Sequence, residues 1–422
     1  MTREEIFNLI EEENVEFIRL QFADIWGHLK NIAVTPNQLE RVMDYMYPFD
    51  GSAIFDDRRA YNGSLYLYPD LDTFVILPWR PQQGKVAKII CDVCTEDGRL
   101  SPYSSRTILK KAIEDAKSLG YTFKINPECE FFLFHTDDNG NATTISHEKA
   151  GYLDVGPTDF GENARRDMVL TLEEMGFAIE SSHHEKAPAQ HEIDFTEGET
   201  LKIADDIVTL RFAVRSIAKR FGLYATFMPK PISGVAGSGM HLNFVLQKDG
   251  KYIFEDKEGK MSDDARYFIG GILAHAEGLA LITNPLVNSY KRLMSGFEAP
   301  RAINWSTSGE DCLVRFHESF GEKKVELRFP DSSANPYTSL AVCIAAGLDG
   351  IKNKIDPDKL PKNKLLPGNL KDAIRHFKKD DLVKSTLGAD YAKVFSEIKE
   401  DAWNEYMVQV SDWEVNRYLT KM

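Results

Sequence analysis

Four segments of the chain alternate between polar and apolar positions, the pattern of strands that carry one polar face. In residues 126–134, Glu128 and Glu130 fall on the same face, with aromatic and aliphatic strand formers around them. The other three segments are residues 191–195, 239–246 and 324–329. Each of the four carries acidic, imidazole or guanidinium groups on one side. Together they predict the lining of a curved sheet that holds charged ligands.

Between these strands, apolar residues recur at the three- to four-residue spacing that predicts amphipathic helices. The first covers residues 105–119 and ends at Gly120. Further helices are expected at residues 162–175, 205–221, 263–282, 336–349 and 391–406. Residues 15–95 instead show short strands joined by turns, at residues 15–22, 31–34, 74–77 and 85–94. The expected class is α+β, with a large antiparallel sheet after a small, mostly β unit.

The composition and charge exclude several classes of protein. A hydrophobic content of 43% fits a globular chain, and a formal charge of -14 disfavours nucleic acid as a partner. The N-terminus opens with a helix-capping pattern at Thr2 and Glu5, and no apolar run is long enough to span a bilayer. We therefore expect a cytoplasmic protein without a membrane partner. Its five cysteines are expected to be reduced thiols, with Cys91, Cys94 and Cys129 structural.

The acidic residues on the strands are candidate metal ligands. Glu185 and Glu192 flank a proline-containing turn, so two adjoining strands would each offer one carboxylate to the same cavity. An oxygen-rich set with a single histidine suits Mg²⁺ or Mn²⁺ and disfavours a structural zinc site. The alternative is that these acids pair with surface lysines. The complete candidate set is Glu128, Glu130, Glu185, Glu192, His241 and Glu326.

Two loops and two arginines complete the candidates. Residues 234–239 are glycine-rich but lack the P-loop lysine and lead into a strand, which favours close backbone approach to a ligand or a plain hairpin turn. Residues 288–300 form a long segment that would close over a site and bring Glu298 to it. Arg315 and Arg328 would bind carboxylate or phosphate oxygens, or form surface ion pairs.

These residues, with five further motifs, resemble the bacterial type I glutamine synthetases from about residue 15 to the C-terminus. The motifs are Phe49-Asp50-Gly51-Ser52, Leu67-Tyr68-Pro69-Asp70, His183-His184-Glu185, Phe227-Met228-Pro229-Lys230-Pro231 and Ser333-Ala334-Asn335-Pro336-Tyr337. The resemblance implies a small N-terminal β-Grasp domain over residues 1–100. A catalytic domain with a curved antiparallel sheet flanked by helices would follow over residues 101–422. It also implies a homododecamer of two stacked hexameric rings, with active sites between subunits.

The resemblance also implies a role for each site residue. One metal would be held by Glu130, Glu185 and Glu192, and another by Glu128, His241 and Glu326, with two or three ions per site. The nucleotide would lie near Glu180, Asn243, Arg315 and Lys324. Glutamate would be contacted by Gly237, Arg292 and Arg328. The ammonium pocket would combine Tyr152 and Glu298 with Asp50 of the adjacent subunit.

The implied reaction transfers the γ-phosphoryl group of ATP to the side-chain carboxylate of glutamate, and ammonia then displaces phosphate to give glutamine. Asp50 would act as the base, Arg315 would contact the ATP phosphates, and Glu298 would shield the acyl phosphate from water.

The chain departs from the family pattern in the residues that orient the substrates. Glu310 stands where an arginine is expected, which inverts a charge. We hypothesise that Glu310 weakens activation of the γ-carboxylate or that a neighbouring lysine replaces the missing charge. The other departures are Ala53, Asn62-Gly63-Ser64, Ala236, Val245 and Lys324. They leave two alternatives open: a γ-glutamyl ligase for a larger amine, and a non-catalytic structural or regulatory assembly.

Overall fold

The computed structural model describes residues 1–55, 61, 63–80, 83–309 and 311–421. Glu310 and Asn62, two of the departures noted above, lie outside these residues. Within the described part, one sheet near the N-terminus contains β1 (Val15–Ala23), β2 (Leu29–Val34), β3 (Tyr47–Asp50), β4 (Ser64–Pro69), β5 (Val75–Ile76) and β6 (Lys85–Cys94). Its order is β2-β1-β6-β4-β3, with β5 paired to β6 and with β1 and β6 parallel.

The second sheet of the described chain is larger, and it curves around the candidate site residues. Its strands are β7 (Tyr121–His135), β8 (Ile179–His184), β9 (Gln190–Phe195), β10 (Gly198–Glu199), β11 (Leu223–Thr226), β12 (Met240–Lys248), β13 (Lys251–Tyr252), β14 (Trp305–Ser306), β15 (Val314–Ser319) and β16 (Glu322–Leu327). The main order is β14-β15-β16-β12-β7-β9-β8. The pairs are antiparallel except β14 with β15.

Helices cover the sheets on the sides away from the polar strand faces. They are α1 (Arg3–Glu12), α2 (Pro36–Tyr45), α3 (Ser105–Ser118), α4 (Glu162–Glu174), α5 (Thr200–Arg220), α6 (Asp263–Thr283), α7 (Val287–Leu293), α8 (Pro336–Asn353), α9 (Leu370–Lys379), α10 (Asp381–Leu387), α11 (Ala389–Met407) and α12 (Asp412–Tyr418). Within the described residues, short 3₁₀ helices lie at Gly51–Ile54, Leu71–Thr73 and Pro357–Lys359. None of the helices in the described ranges is both long and apolar enough to cross a bilayer.

The alternation of the strands decides where the core lies. On β7 and β12, the positions between the polar ones are buried, and Phe123 and Phe244 pack on Phe268 of α6 with ring centroids 5.8 and 5.6 Å away. The acidic positions face the opposite side. The helices therefore hold the sheet from one face and leave the other for a charged cavity.

Most predicted elements are present, and several boundaries were wrong. The α+β class and the capping box at Thr2 are confirmed. Helix α5 begins at Thr200, five residues before the predicted start, and the strand predicted at residues 74–77 is only Val75–Ile76. The segment 288–300, predicted to be long and mobile, begins inside helix α7, where Tyr290 and Leu293 are buried.

Candidate active site

A cavity of about 300 Å³ opens on the polar face of the large sheet. Most of the predicted site residues reach it from different elements. The predicted residues that line it are Glu128, Glu130, Tyr152, Glu185, Glu192, Gly237, His241, Arg292, Glu298, Arg315 and Arg328. The sheet therefore gathers in one place groups that are spread over about half of the chain.

Strand register explains why the acidic groups meet. His241 lies opposite Glu128 in the β7–β12 pair, and Glu130 lies opposite Glu192 in the β7–β9 pair. Directly opposed residues of antiparallel strands have Cβ atoms about 5 Å apart. Because β7 is central, its two glutamates face ligand candidates on both neighbouring strands.

The first group of candidate ligands is Glu128, His241 and Glu326, whose donor atoms lie within 4.8 Å of one another. His241 Nδ1 is 2.9 Å from Glu128 Oε2 and 3.3 Å from Glu326 Oε1. Glu326 is fully buried and accepts hydrogen bonds from Arg315 Nε at 2.5 Å and Arg328 Nη1 at 2.7 Å. The two guanidinium groups stabilise its charge and fix its orientation.

The second group is His183, Glu185 and Glu192, again with donor atoms within 4.8 Å. His183 Nε2 is 3.2 Å from Glu185 Oε1 and 3.4 Å from Glu192 Oε2. Glu185 directly follows β8 and Glu192 lies on β9, so the two carboxylates flank the turn, as predicted from the sequence. Glu130 lies beside this group, where Gln190 Nε2 donates to its Oε2 at 2.6 Å.

The carboxylates titrate unequally because they are buried together. Burial, followed by the charge of Glu185, raises the pKa of Glu130 to about 7. Burial, with Asp194 next, raises the pKa of Glu192 well above its usual value. Burial opposes ionisation of Glu128 too, but the hydrogen bond and charge of His241 outweigh it and lower its pKa to about 2. The cavity thus contains more acid than its own cations compensate, which favours a bound divalent cation.

The glycine-rich segment reaches the wall of the cavity at Ala236 and Gly237. A side chain at Gly237 would place its Cβ 2.2 Å from the carbonyl oxygen of Pro229. Arg292 packs next to this segment, where its guanidinium donates to the carbonyl oxygens of Phe329 at 3.0 Å and Arg328 at 3.2 Å. Backbone and guanidinium thus come together at one wall of the cavity.

Five predicted residues lie outside the cavity lining of the described chain, and the fully buried Glu326 described above is one of them. Asn243 donates to Glu128 Oε1 at 2.9 Å, and Lys324 Nζ donates to Asn126 Oδ1 at 3.0 Å. Glu180 lies on β8. Asp50 ends β3, where its side chain accepts a hydrogen bond from Ser52 N. Its predicted role depends on an adjacent subunit.

Five cavity residues had no role in the sequence prediction: His183, Lys186, Gln190, Asp194 and Phe297. The alternation of β9 contains the signal for two of them, because Gln190 and Asp194 share the face of Glu192. His184, between the cavity residues His183 and Glu185, belongs to a further buried group, and its Nε2 is 2.8 Å from Glu148 Oε1. No local pattern distinguishes Lys186 from a surface lysine.

Comparisons with known proteins agree with this architecture. Residues 14–96 match the family model "Glutamine synthetase, beta-Grasp domain" and residues 102–418 match "Glutamine synthetase, catalytic domain". The β-Grasp fold predicted for the N-terminal region is thereby confirmed.

The relatives in sequence that are named glutamine synthetase include two from different organisms. The one from Clostridium saccharobutylicum is 50% identical and covers 100% of this chain and 99% of its own. The one from Methanosarcina mazei is 44% identical and covers 100% and 98%.

Two solved structures are similar in fold. A GmaS/ADP complex superposes with a TM-score of 0.88 at 30% identity, covering 98% of this chain and 99% of that one. Apo GmaS without ligand gives 0.87 at 30% identity, covering 97% and 98%. The chain belongs to the glutamine synthetase family.

Proposed function

We propose that the protein joins ammonia to the γ-carboxylate of L-glutamate at the expense of ATP. A γ-carboxylate oxygen attacks the γ-phosphorus of ATP and ADP leaves. The amine nitrogen then attacks the acyl carbon, phosphate leaves, and glutamine is formed. Membership of a family of ATP-dependent ligases supports this reaction, as do full-length relatives named glutamine synthetase. The observation that carries the proposal is the pair of ligand groups, three residues each, of which five of the six residues line one cavity.

The donor set fits two hard divalent cations, Mg²⁺ or Mn²⁺. Glu130, Glu185 and Glu192 would hold one, with His183 beside them, while Glu128, His241 and Glu326 would hold the other. The raised pKa values of Glu130 and Glu192 support this fit, since carboxylates crowded in a buried space ionise together only when a cation compensates them. When bound, the ions neutralise repulsion between the two anionic substrates.

Three arginines would position those substrates. Arg328 and Arg292, with the backbone at Gly237, would hold glutamate, and Arg315 would contact the ATP phosphates. The ATP itself would extend towards Glu180, Asn243 and Lys324. Guanidinium groups suit this task because their planar donors match carboxylate and phosphate oxygens.

The ammonium ion would bind between Tyr152, Glu298 and Asp50 of an adjacent subunit. The negative pocket attracts the cation, Asp50 takes its proton, and neutral ammonia becomes the nucleophile. Closure of the segment that carries Glu298 would keep water from hydrolysing the acyl phosphate. A site shared between subunits requires a homo-oligomer, and we propose a dodecamer of two hexameric rings. Each chain would consist of two domains, at residues 1–100 and 101–422. We propose a cytoplasmic location for the assembly.

Phosphate release from ATP and glutamate, measured across ammonium and a panel of organic amines, tests the proposal. Ammonium-dependent release supports it. Turnover with organic amines alone overturns it in favour of a γ-glutamyl ligase for a larger amine. The absence of phosphate release with every acceptor overturns it in favour of a non-catalytic assembly. In the same assay, faster phosphate release by the Glu310→Arg variant than by the wild type would support the hypothesis that Glu310 weakens activation of the γ-carboxylate.

A further inference from the structure

Lys186 directly follows the candidate metal ligand Glu185 and turns its side chain into the same cavity. Its backbone N–H donates to Glu185 Oε2 at 2.8 Å, which ties the base of the side chain to the metal-ligand turn. Its ammonium group forms an ion pair with Glu298. The same nitrogen lies 5.2 Å from the ring centroid of Tyr152. The lysine therefore joins two segments that are far apart in sequence.

Glu298 and Tyr152, which the ammonium group of Lys186 contacts, are residues assigned above to the ammonium ion. An aromatic face and a carboxylate are the groups that attract a small alkyl or free ammonium cation. Lys186 makes both contacts with an ammonium group carried on its own side chain.

We propose that Lys186 is a tethered competitor of the acceptor amine. In the substrate-free enzyme its ammonium group occupies the acceptor subsite and holds the segment that carries Glu298, residues 294–300, which we call the flap. Ammonium displaces the lysine when it binds. The inference rests on the proposed function, because that function assigns Tyr152 and Glu298 to the amine.

The flap has a conformation that needs such contacts. Glu298 adopts φ 53°, in the left-handed region that a non-glycine residue occupies only when its surroundings impose it. Two lysines contact adjacent positions of the flap: Lys186 pairs with Glu298, and Lys230 Nζ lies 4.6 Å from the ring centroid of Phe297. Loss of the first contact therefore loosens the flap.

The pair is also weak enough to be displaced. The side chains of Lys186 and Glu298 are 37% and 45% exposed, and ion pairs at that exposure contribute little because water and salt screen them. A freely diffusing ammonium ion can therefore replace the lysine at moderate concentration. A buried pair would block the subsite instead.

The test compares Lys186→Met with Lys202→Met. Lys202 is a matched control because it also forms an ion pair, with Asp206, and a cation–π contact, 5.6 Å from the ring centroid of Phe177, but lies outside the cavity. In Lys186→Met we expect KM for ammonium to fall about 2- to 10-fold, with KM for glutamate unchanged. Lys186→Arg, which keeps the charge, should retain most of the wild-type KM. An unchanged KM for ammonium in Lys186→Met overturns the competition.

Hydrogen exchange of residues 294–300 provides a readout that does not need turnover. In substrate-free protein, exchange should be faster in Lys186→Met than in the wild type and in Lys202→Met. In the wild type, ammonium chloride should speed this exchange relative to sodium chloride at the same ionic strength, and the difference should vanish in Lys186→Met. Equal exchange in all samples would show that Lys186 does not hold the flap, and would overturn that part of the proposal. If ammonium-dependent phosphate release is absent, the proposed function fails, while these exchange results still decide the role of Lys186.

Discussion

At the scale of single residues, the cavity depends on hydrogen bonds that orient charged groups. Glu326 is held by Arg315 and Arg328, Glu128 by His241 and Asn243, and Glu130 by Gln190. Partners of this kind fix a ligand's rotamer before the metal arrives, and losing one typically weakens metal affinity by about 10- to 100-fold.

Gln190→Met tests this at Glu130. The substitution removes the donor to Glu130 Oε2 and to the carbonyl oxygen of Gly237, 3.3 Å away, but keeps the volume of the side chain. We expect Mn²⁺ affinity, measured by calorimetric titration, to fall about 10-fold. Gln247→Met, on the same sheet but outside the cavity, is the control. Equal affinities in the two variants would contradict the prediction.

The pH dependence of stability can be predicted at Lys399, which is 2% exposed and lies 4.0 Å from the ring centroid of Trp26. Burial lowers the pKa of Lys399 to about 7 from 10.5. Between these values the unfolded chain binds a proton that the folded chain does not, so folded-state stability rises with pH. A pKa difference of 3.5 units limits the contribution of this titration to the free energy of unfolding to roughly 5 kcal/mol. The Trp26 ring favours the charged form of Lys399 and therefore reduces this contribution.

Thermal unfolding of Lys399→Met from pH 7 to 9 checks the sign. The variant should be more stable than the wild type at pH 7, and its advantage should shrink as the pH rises. Lys393→Met, an exposed position on the same helix, should follow the wild type at every pH. A constant difference between Lys399→Met and the wild type would show that the lysine does not titrate in this range.

At the scale of elements, helix α6, which packs through Phe268 on the sheet that carries the site, crosses helix α8 closely. Glycines of α6 and α8 allow this approach. A Cβ at Gly271 would lie 2.0 Å from the carbonyl oxygen of Ala346, and one at Gly350 would lie 2.1 Å from that of Tyr267. Backbone cannot move aside as a flexible side chain can, so the helices would have to separate.

Gly350→Ala should therefore destabilise the fold despite the better helix propensity of alanine. We expect a loss of about 1–3 kcal/mol, typical of overpacked cores, seen as a lower midpoint of thermal unfolding. Gly151→Ala is the control, since a Cβ there meets only Asp154 Oδ2 at 4.0 Å. An equal midpoint for the two variants would show that α6 and α8 adapt without strain.

At the scale of the whole molecule, the proposed function needs a residue that the cavity of one chain does not contain. Asp50 lies in the N-terminal sheet, outside the cavity lining of the described residues, while Glu326 lies in the large sheet. If active sites form between subunits, each complete site needs Asp50 from one chain and Glu326 from another.

Co-expression of Asp50→Ala and Glu326→Gln chains tests this arrangement. Each variant alone should be inactive. Random mixing leaves both residues intact at roughly one site in four, so mixed assemblies should regain about a quarter of wild-type phosphate release. A mixture as inactive as its components would place each active site within a single chain.

The sequence predicted the elements best in segments where the apolar residues recur with a single helix or strand period. The strands at residues 85–94 and 191–195 and the helix that begins at residue 105 were predicted closely, because their apolar positions repeat without interruption. Helix α9 was missed although Leu370, Ile374 and Phe377 form an apolar face. The early start of α5 at Thr200 was also missed, because its first turn follows β10 with no separating loop.

The sequence by itself determined which side chains share a face, because strand alternation is a local property of the backbone. It thereby identified the carboxylates of β7 and β9 and the imidazole of β12. Only the tertiary structure decided which faces meet, because register depends on hydrogen bonds between strands far apart in the chain. The same holds for Lys186 and Glu298, which are 112 positions apart. Their contact depends on how the flap and the β8–β9 turn close around one cavity.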